Sequence, residues 1–130
     1  MPGPRATFAP QDRLRSRGQF QRVFRRGERF DGDWFLLVAA QNEVGHARLG
    51  VAIGRRVGSA VARNRVRRLL RETFRHNRDR GPGPLDLVIV AKPGLVGRGL
   101  SEIEREYRQR LERVARRRVR RDRPDAALAD

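Results

Sequence analysis

GRRVGSAVARNRVRRLLRETFRHNR, residues 54–78, is the stretch whose reading decides the fold. Wound at about 100° per residue, it places Ala62, Val66, Leu69, Leu70, Thr73 and Phe74 on one stripe at i, i+3, i+4 spacing, the pattern of a helix lying on a sheet. On the opposite side Asn64, Arg67, Arg68, Arg71, Arg75 and Arg78 fall within an arc of roughly 100°, with Arg63 and Arg65 flanking the apolar stripe. Charged helix faces are commonly solvated and laced with i,i+4 ion pairs, but only Glu72 is available within this cluster to form them. So many like charges on a few turns repel one another unless something neutralises them. The helix therefore predicts two contacts at once, one with a core and one with a polyanion.

Outward from the helix the period changes. Upstream, WFLLVAA (34–40) and ARLGVAI (47–53) read as strands separated by the polar QNEVGH, and are expected to pair as an antiparallel hairpin. A brief strand at Arg29 and Phe30 ends at the Asp31-Gly32 turn. Gly54 and Gly58 bracket Arg55, Arg56 and Val57 in a turn whose backbone can approach a ligand closely. Downstream, GPGP (81–84) breaks the helix, and LDLVIVA (85–91) is the nearly continuous apolar run of an interior strand. Ser16 and Gln19 have capping-box spacing ahead of a short helix bearing Phe20, Val23 and Phe24 and stopped at Gly27. Ser101 and Glu104 repeat that spacing ahead of a last helix bearing Ile103, Tyr107, Leu111, Val114 and Ala115. The expected organisation is a flexible segment over 1–12, one domain over 13–116, and a basic-then-mixed tail over 117–130 that stays disordered.

Composition narrows the function. A chain of 130 residues supports one core of two layers, and 31 basic against 15 acidic residues give a net charge of +16. A surface of that charge attracts nucleic acid before any other cytoplasmic polyanion. Of the basic residues only Lys92 is a lysine, and cysteine is absent, which removes disulfides and thiolate metal sites. No apolar run approaches the roughly 20 residues of a membrane span, the amino terminus lacks the long apolar segment of a secretory signal, and a cytoplasmic protein without a membrane partner is expected. His46 and His76 read as surface residues with no fixed relation to a carboxylate. Asp31, Asp33, Glu102, Glu104 and Glu106 read as turn-forming or charge-balancing groups on an outer face. With no phosphate-binding Gly-Lys-Ser/Thr loop and no ligand set for a metal, neither catalytic residues nor a dedicated metal site are expected. A helix-turn-helix DNA-binding protein would need a helix just before the basic one, where Ala47 to Ile53 reads as a strand.

The residues also resemble a family. Arg48-Leu49-Gly50-Val51, Arg55-Arg56-Val57-Gly58, Ala60-Val61, Arg63-Asn64-Arg65, Arg67-Arg68-Leu69-Leu70-Arg71-Glu72 and Phe74-Arg75, within a likeness running from Arg13-Leu14 to Ala91, are similar to the bacterial ribonuclease P protein component. The resemblance implies an α/β (α+β) sandwich in the order α-β-β-β-α-β-α. It further implies a mixed four-stranded sheet in which the helix with the R-N-R motif forms a left-handed crossover between parallel strands, against the usual hand. It implies the RNA-binding protein subunit of an endoribonuclease that removes the 5′ leader from precursor tRNA, in which a catalytic RNA performs the chemistry with magnesium ions.

Carried over by position, Arg63, Asn64, Arg65, Arg67, Arg68 and Arg71 would contact the catalytic RNA, together with Arg55 and Arg56, which stand where two lysines are usual. Phe20, Phe24, Phe35 and Val38 would line a cleft that receives the single-stranded leader. Aromatic faces there would stack on bases without reading sequence, and Val38 stands where an aromatic is common in the family. A ribosomal or general RNA-binding module without a role in tRNA 5′ maturation is the alternative that an arginine-faced helix alone permits.

Overall fold

The structure is a computed structural model that describes residues 8–81 and 83–121, with side chains to residue 118. Its elements run α1 (Arg17–Arg26), β1 (Glu28–Asp31), β2 (Phe35–Gln41), β3 (Arg48–Ala52), α2 (Ala60–His76), β4 (Leu85–Ala91) and α3 (Leu100–Arg121), the α-β-β-β-α-β-α order that the resemblance implies. The four-stranded sheet has the order β1-β2-β4-β3. β2 and β3 do not form the expected hairpin. β4 lies between them, antiparallel to β2 from Phe35↔Ala91 to Gln41↔Leu85 and parallel to β3 from Arg48↔Asp86 to Ala52↔Val90. The strand with the most continuous apolar run thus takes an interior position, and α2 crosses from β3 to β4 because parallel neighbours cannot be joined by a tight turn. The outer edge of β3 is met by the N-terminal segment, where the Leu14 N–H donates to the Leu49 carbonyl at 3.0 Å.

Strand alternation sends successive side chains to opposite faces. Phe35, Leu37 and Ala39 of β2, with Leu85, Leu87, Ile89 and Ala91 of β4, join Val66, Leu70 and Phe74 of α2 and Ile103, Tyr107, Leu111 and Val114 of α3 in the larger core. On the other face Val38, Ala40 and Val88 pack with Leu14 and with Val23 of α1, while Phe20, Phe24, Leu36 and Val90 are only partly buried. One face is therefore closed by two helices. The other carries a single helix of 10 residues.

The caps explain the helix starts. Ser16 and Gln19 form both bonds of their box, and Gly27 ends α1. The second box does not form. α3 begins at Leu100, the Glu102 carboxylate accepts from the Gly99 N–H at 3.1 Å, and Ser101 sits inside the helix. The acids on α3 are also placed differently from the expected outer face, with Glu104 and Glu106 8% and 7% exposed. Glu106 accepts from the Asp33 and Trp34 N–H groups at 3.0 and 3.1 Å, which fixes the β1–β2 turn against α3. Gly32 is needed there, since a Cβ would lie 2.9 Å from Glu106 Cδ.

The expected boundaries shift at both ends. Residues 8–12 are ordered, with Phe8 edge-on to Phe74 at 5.5 Å and a 3₁₀ turn at Pro10–Asp12. α3 continues past 116 to Arg121, and Arg117 bonds Glu28 at 2.8 Å. The flexibility expected of 1–7 and of 122–130 concerns positions outside the described residues.

Candidate nucleic-acid interface

α2 is positioned by its N-cap and its apolar stripe. Ser59 Oγ accepts from the Ala62 N–H at 3.2 Å, satisfying one of the free donors of the first turn, and Val66, Leu70, Thr73 and Phe74 are buried. The stripe on the sheet leaves the arginine arc facing away from it. Asn64, Arg67, Arg68 and Arg71 line a groove of about 410 Å³ together with Phe8 and Arg13 of the N-terminal segment. The Asn64 side-chain oxygen accepts from Arg67 at 2.9 Å, which orients that guanidinium.

Arg13 and Arg71 both lie over the Phe8 ring, 5.0 and 5.9 Å from its centre. Burial, with the like charges of Arg13 and Arg67, holds the Arg71 guanidinium below its ordinary range. Among the described residues no carboxylate pairs with Arg13, Arg67 or Arg71, and Arg13 Nε is buried without a hydrogen-bond partner. Folding brings Arg13 and Arg71 onto one aromatic ring with Arg67 in the same groove, and Glu72, the carboxylate in that lining, is bonded to Arg75. An anion with several acceptor oxygens relieves that arrangement.

The arginine arc is not uniform. At its C-terminal end Arg75 Nε bonds Glu72 at 2.9 Å, and Arg78 pairs with Asp12 while stacking on Phe74. There the ordinary reading of a charged helix face, intramolecular ion pairs, applies. At the N-terminal end Arg65 turns toward the Arg98 carbonyl at 3.5 Å, Arg63 is half-buried, and Arg55 and Arg56 project from the turn before α2. Of the residues expected to contact RNA, the groove gathers Asn64, Arg67, Arg68 and Arg71. It leaves Arg55, Arg56, Arg63 and Arg65 outside its wall.

A second groove of about 260 Å³ shares Phe8, Arg13, Arg67 and Arg71 with the first and continues past Leu14 to Phe20. Phe20 is set by close approach: a Cβ on Gly50 would lie 2.6 Å from Phe20 Cζ, so the ring lies directly on the β3 backbone. Phe24 carries Arg29 at 5.7 Å from its ring centre. The cleft wall expected from sequence needs correction at the other two positions. Phe35 is 0% exposed in the core beneath α2 and α3, on the opposite face of the sheet from Phe20 and Phe24. Val38 shares their face but is also 0% exposed, covered by α1. Positions 35 and 38 are an odd number of residues apart, and strand alternation forbids them a common face. The strand residues left half-covered on the α1 face, beside Phe20 and Phe24, are Leu36 and Val90. Their signal was present in the same alternation. Phe8 and Arg13 were less legible, because a proline-rich leader gives no periodicity to place them.

Both histidines have carboxylates nearby. His76 Nδ1 lies 2.7 Å from Glu104 Oε1 and joins α2 to α3, while His46 Nε2 lies 2.9 Å from the Gln11 carbonyl oxygen and 3.8 Å from Asp12. The separation of residues 76 and 104 in the chain hid the first pair. Among the described residues no group of three or more histidine, aspartate or glutamate side chains is placed to hold a metal ion. The buried acids are already engaged: Asp86 by Arg48 at 2.8 Å and Asn42 at 2.9 Å, and Glu104 by Arg108 at 2.7 Å.

The family model described as Ribonuclease P matches residues 8–121. A ribonuclease P protein component of Syntrophus aciditrophicus is 34% identical over 100 residues, covering 77% of this chain and 84% of that protein. The ribonuclease P protein component of Syntrophobacter fumaroxidans is 43% identical over 88 residues, covering 67% and 74%. The solved structure of the RNase P protein from Thermotoga maritima superposes with a TM-score of 0.72 at 28% identity, covering 78% of this chain and 96% of that one.

Proposed function

Because the chain belongs to the ribonuclease P protein family, we propose that the groove beneath Arg67 and Arg71 is where it meets the RNA of that enzyme. The chain is a protein subunit of the ribonuclease P endoribonuclease and acts in tRNA processing. In this reading the arginine face of α2, with Arg13, holds the phosphate backbone of the catalytic RNA. The half-covered α1 face, with Phe20, Phe24, Leu36 and Val90, receives the single-stranded 5′ leader of precursor tRNA. The observation that carries it is the convergence of Arg13 and Arg71 on Phe8, with Arg67 in the same groove and no carboxylate partner for the three among the described residues.

The chemistry follows from the side chains. Guanidinium forks pair with phosphate oxygens. The Asn64 amide, its oxygen held by Arg67, retains N–H donors for a base edge or a 2′-hydroxyl. Leader bases stack on Phe20 and Phe24 without sequence discrimination. Magnesium ions belong to the RNA partner in this account, and the protein's surplus of cations lowers the phosphate repulsion that those ions must otherwise screen. No helix among the described residues is long and apolar enough to cross a membrane, and the proposed site of action is the cytoplasm, with its precursor tRNA. A general RNA-binding module without this role has no support among the relatives.

Reconstitution tests the reading. Leader cleavage by the catalytic RNA at low magnesium rises on addition of the chain, and the Arg67→Gln/Arg71→Gln variant needs more magnesium for the same rate. Cleavage that is indifferent to the wild-type protein at every concentration would sink the proposal.

A further inference from the structure

A second basic pocket lies on the far side of α1 from the proposed leader face. Arg22 and Arg26 stand one turn apart on α1, roughly 120° to 160° around the helix from Phe20 and Phe24. They line a pocket of about 420 Å³ with Gln41 at the end of β2 and Arg118 near the end of α3. That end of the sheet is where β2 finishes and β4 begins, since Gln41 pairs with Leu85. α2 starts at the other end, beyond Ala52, which pairs with Val90. The pocket flanks β1 and β2 at one edge of the sheet, whereas Arg13 of the α2 groove bridges Leu49 of β3 at the other.

The charge of this pocket is not absorbed by its surroundings. Arg22 reaches Asp86 only at 3.9 Å, and both oxygens of that carboxylate are already taken by Arg48 at 2.8 Å. Arg118 meets the neutral Gln41 amide, whose oxygen accepts at 2.8 and 3.2 Å once the amide is turned toward it. Among the described residues Arg26 has no carboxylate partner. Of the two acids in the lining, Glu28 is held by Arg117 at 2.8 Å, leaving Glu43 against three arginines. Three guanidinium groups from two helices around a concave surface offer a polyanion several charge-assisted donors at once.

We propose that this pocket is a second RNA-backbone site, distinct from the groove on α2 and from the leader face, through which the protein bridges two RNA segments at opposite edges of its sheet. The inference rests on RNA being the partner, as proposed above. The backbone it holds comes either from the catalytic RNA or from the precursor tRNA beyond the leader nucleotides at the α1 face. Neither the groove on α2 nor Phe20 is needed for this contact, so its loss is separable from theirs.

The test uses the full-length chain in which Arg26→Gln and Arg118→Gln are combined. Binding to the catalytic RNA alone and to precursor tRNA in the assembled enzyme is followed across a salt series. Removing two phosphate contacts lowers the slope of log affinity against log salt by about 1.4 to 1.8 for the RNA that seats in the pocket. A change confined to one of the two RNAs identifies the source. The Arg26→Lys/Arg118→Lys variant keeps the charge and restores the slope. An unchanged slope on both RNAs, or equal losses in the glutamine and lysine variants, overturns this inference alone. Failure of the wild-type chain to bind either RNA overturns the proposed function and this site with it.

Discussion

The two faces of the sheet use the same strands for opposite purposes. On one, α2 and α3 close over Phe35, Leu37, Leu87 and Ile89 and leave each of them 3% exposed or less. On the other, α1 covers Val38 and Val88 but leaves Phe20, Phe24, Leu36 and Val90 half-covered. Apolar surface left uncovered by the fold is available to a ligand. The difference is one of supply: two helices, of 17 and 22 residues, against one of 10. Stability is expected to come mainly from the closed face and leader binding from the open one.

That division can be broken most readily at the aromatics. Phe74→Ala on the closed face lowers unfolding free energy by about 3–5 kcal/mol, as measured by urea denaturation. Phe24→Ala on the open face costs clearly less stability but weakens leader binding by about 1–3 kcal/mol, as measured by titration with precursor tRNA. Equal stability losses would erase the distinction between the faces. Asp86 sharpens it, because it is a carboxylate 1% exposed on the α1 face. Asp86→Ala leaves Arg48 partly buried without its partner, and a destabilisation of about 3–5 kcal/mol is expected. A much smaller loss would mean that the open face relaxes around the vacancy. The smallest effect is expected at the start of α1. Ser16→Ala removes the cap that receives the Gln19 N–H, at a cost of about 1 kcal/mol in thermal or urea unfolding. No change there would show that packing of Phe20 and Val23 alone sets the helix.

Much of this architecture was legible in local pattern. The 3.6-residue period gave α2 its core stripe, the Ser16–Gln19 box gave α1 its start, and the run from Leu85 to Ala91 gave an interior strand. What failed were inferences about partners distant in the chain. The hairpin of β2 with β3 followed from their adjacency in sequence, whereas pairing is decided by which strand has two buried edges to satisfy. Glu104 and Glu106 read as solvated because nothing local reveals His76 or the Asp33 and Trp34 N–H groups that engage them. The site divides in the same way. Asn64, Arg67, Arg68 and Arg71 form one groove as helical geometry requires, but Glu72 and Asp12 neutralise the far end of the arc, and only the fold shows which arginines remain open. Phe35 lies outside the cleft because the two-residue period of its own strand turns it to the face under α2 and α3.

The most direct test of the two-face account is a precursor tRNA carrying photoreactive nucleotides in its leader, crosslinked within the assembled enzyme and mapped to residues. The account predicts adducts at Phe20, Phe24, Leu36 and Val90 on the α1 face, and none at Phe35 beneath α2 and α3. Adducts confined to α2 or α3, with the α1 face untouched, would contradict it.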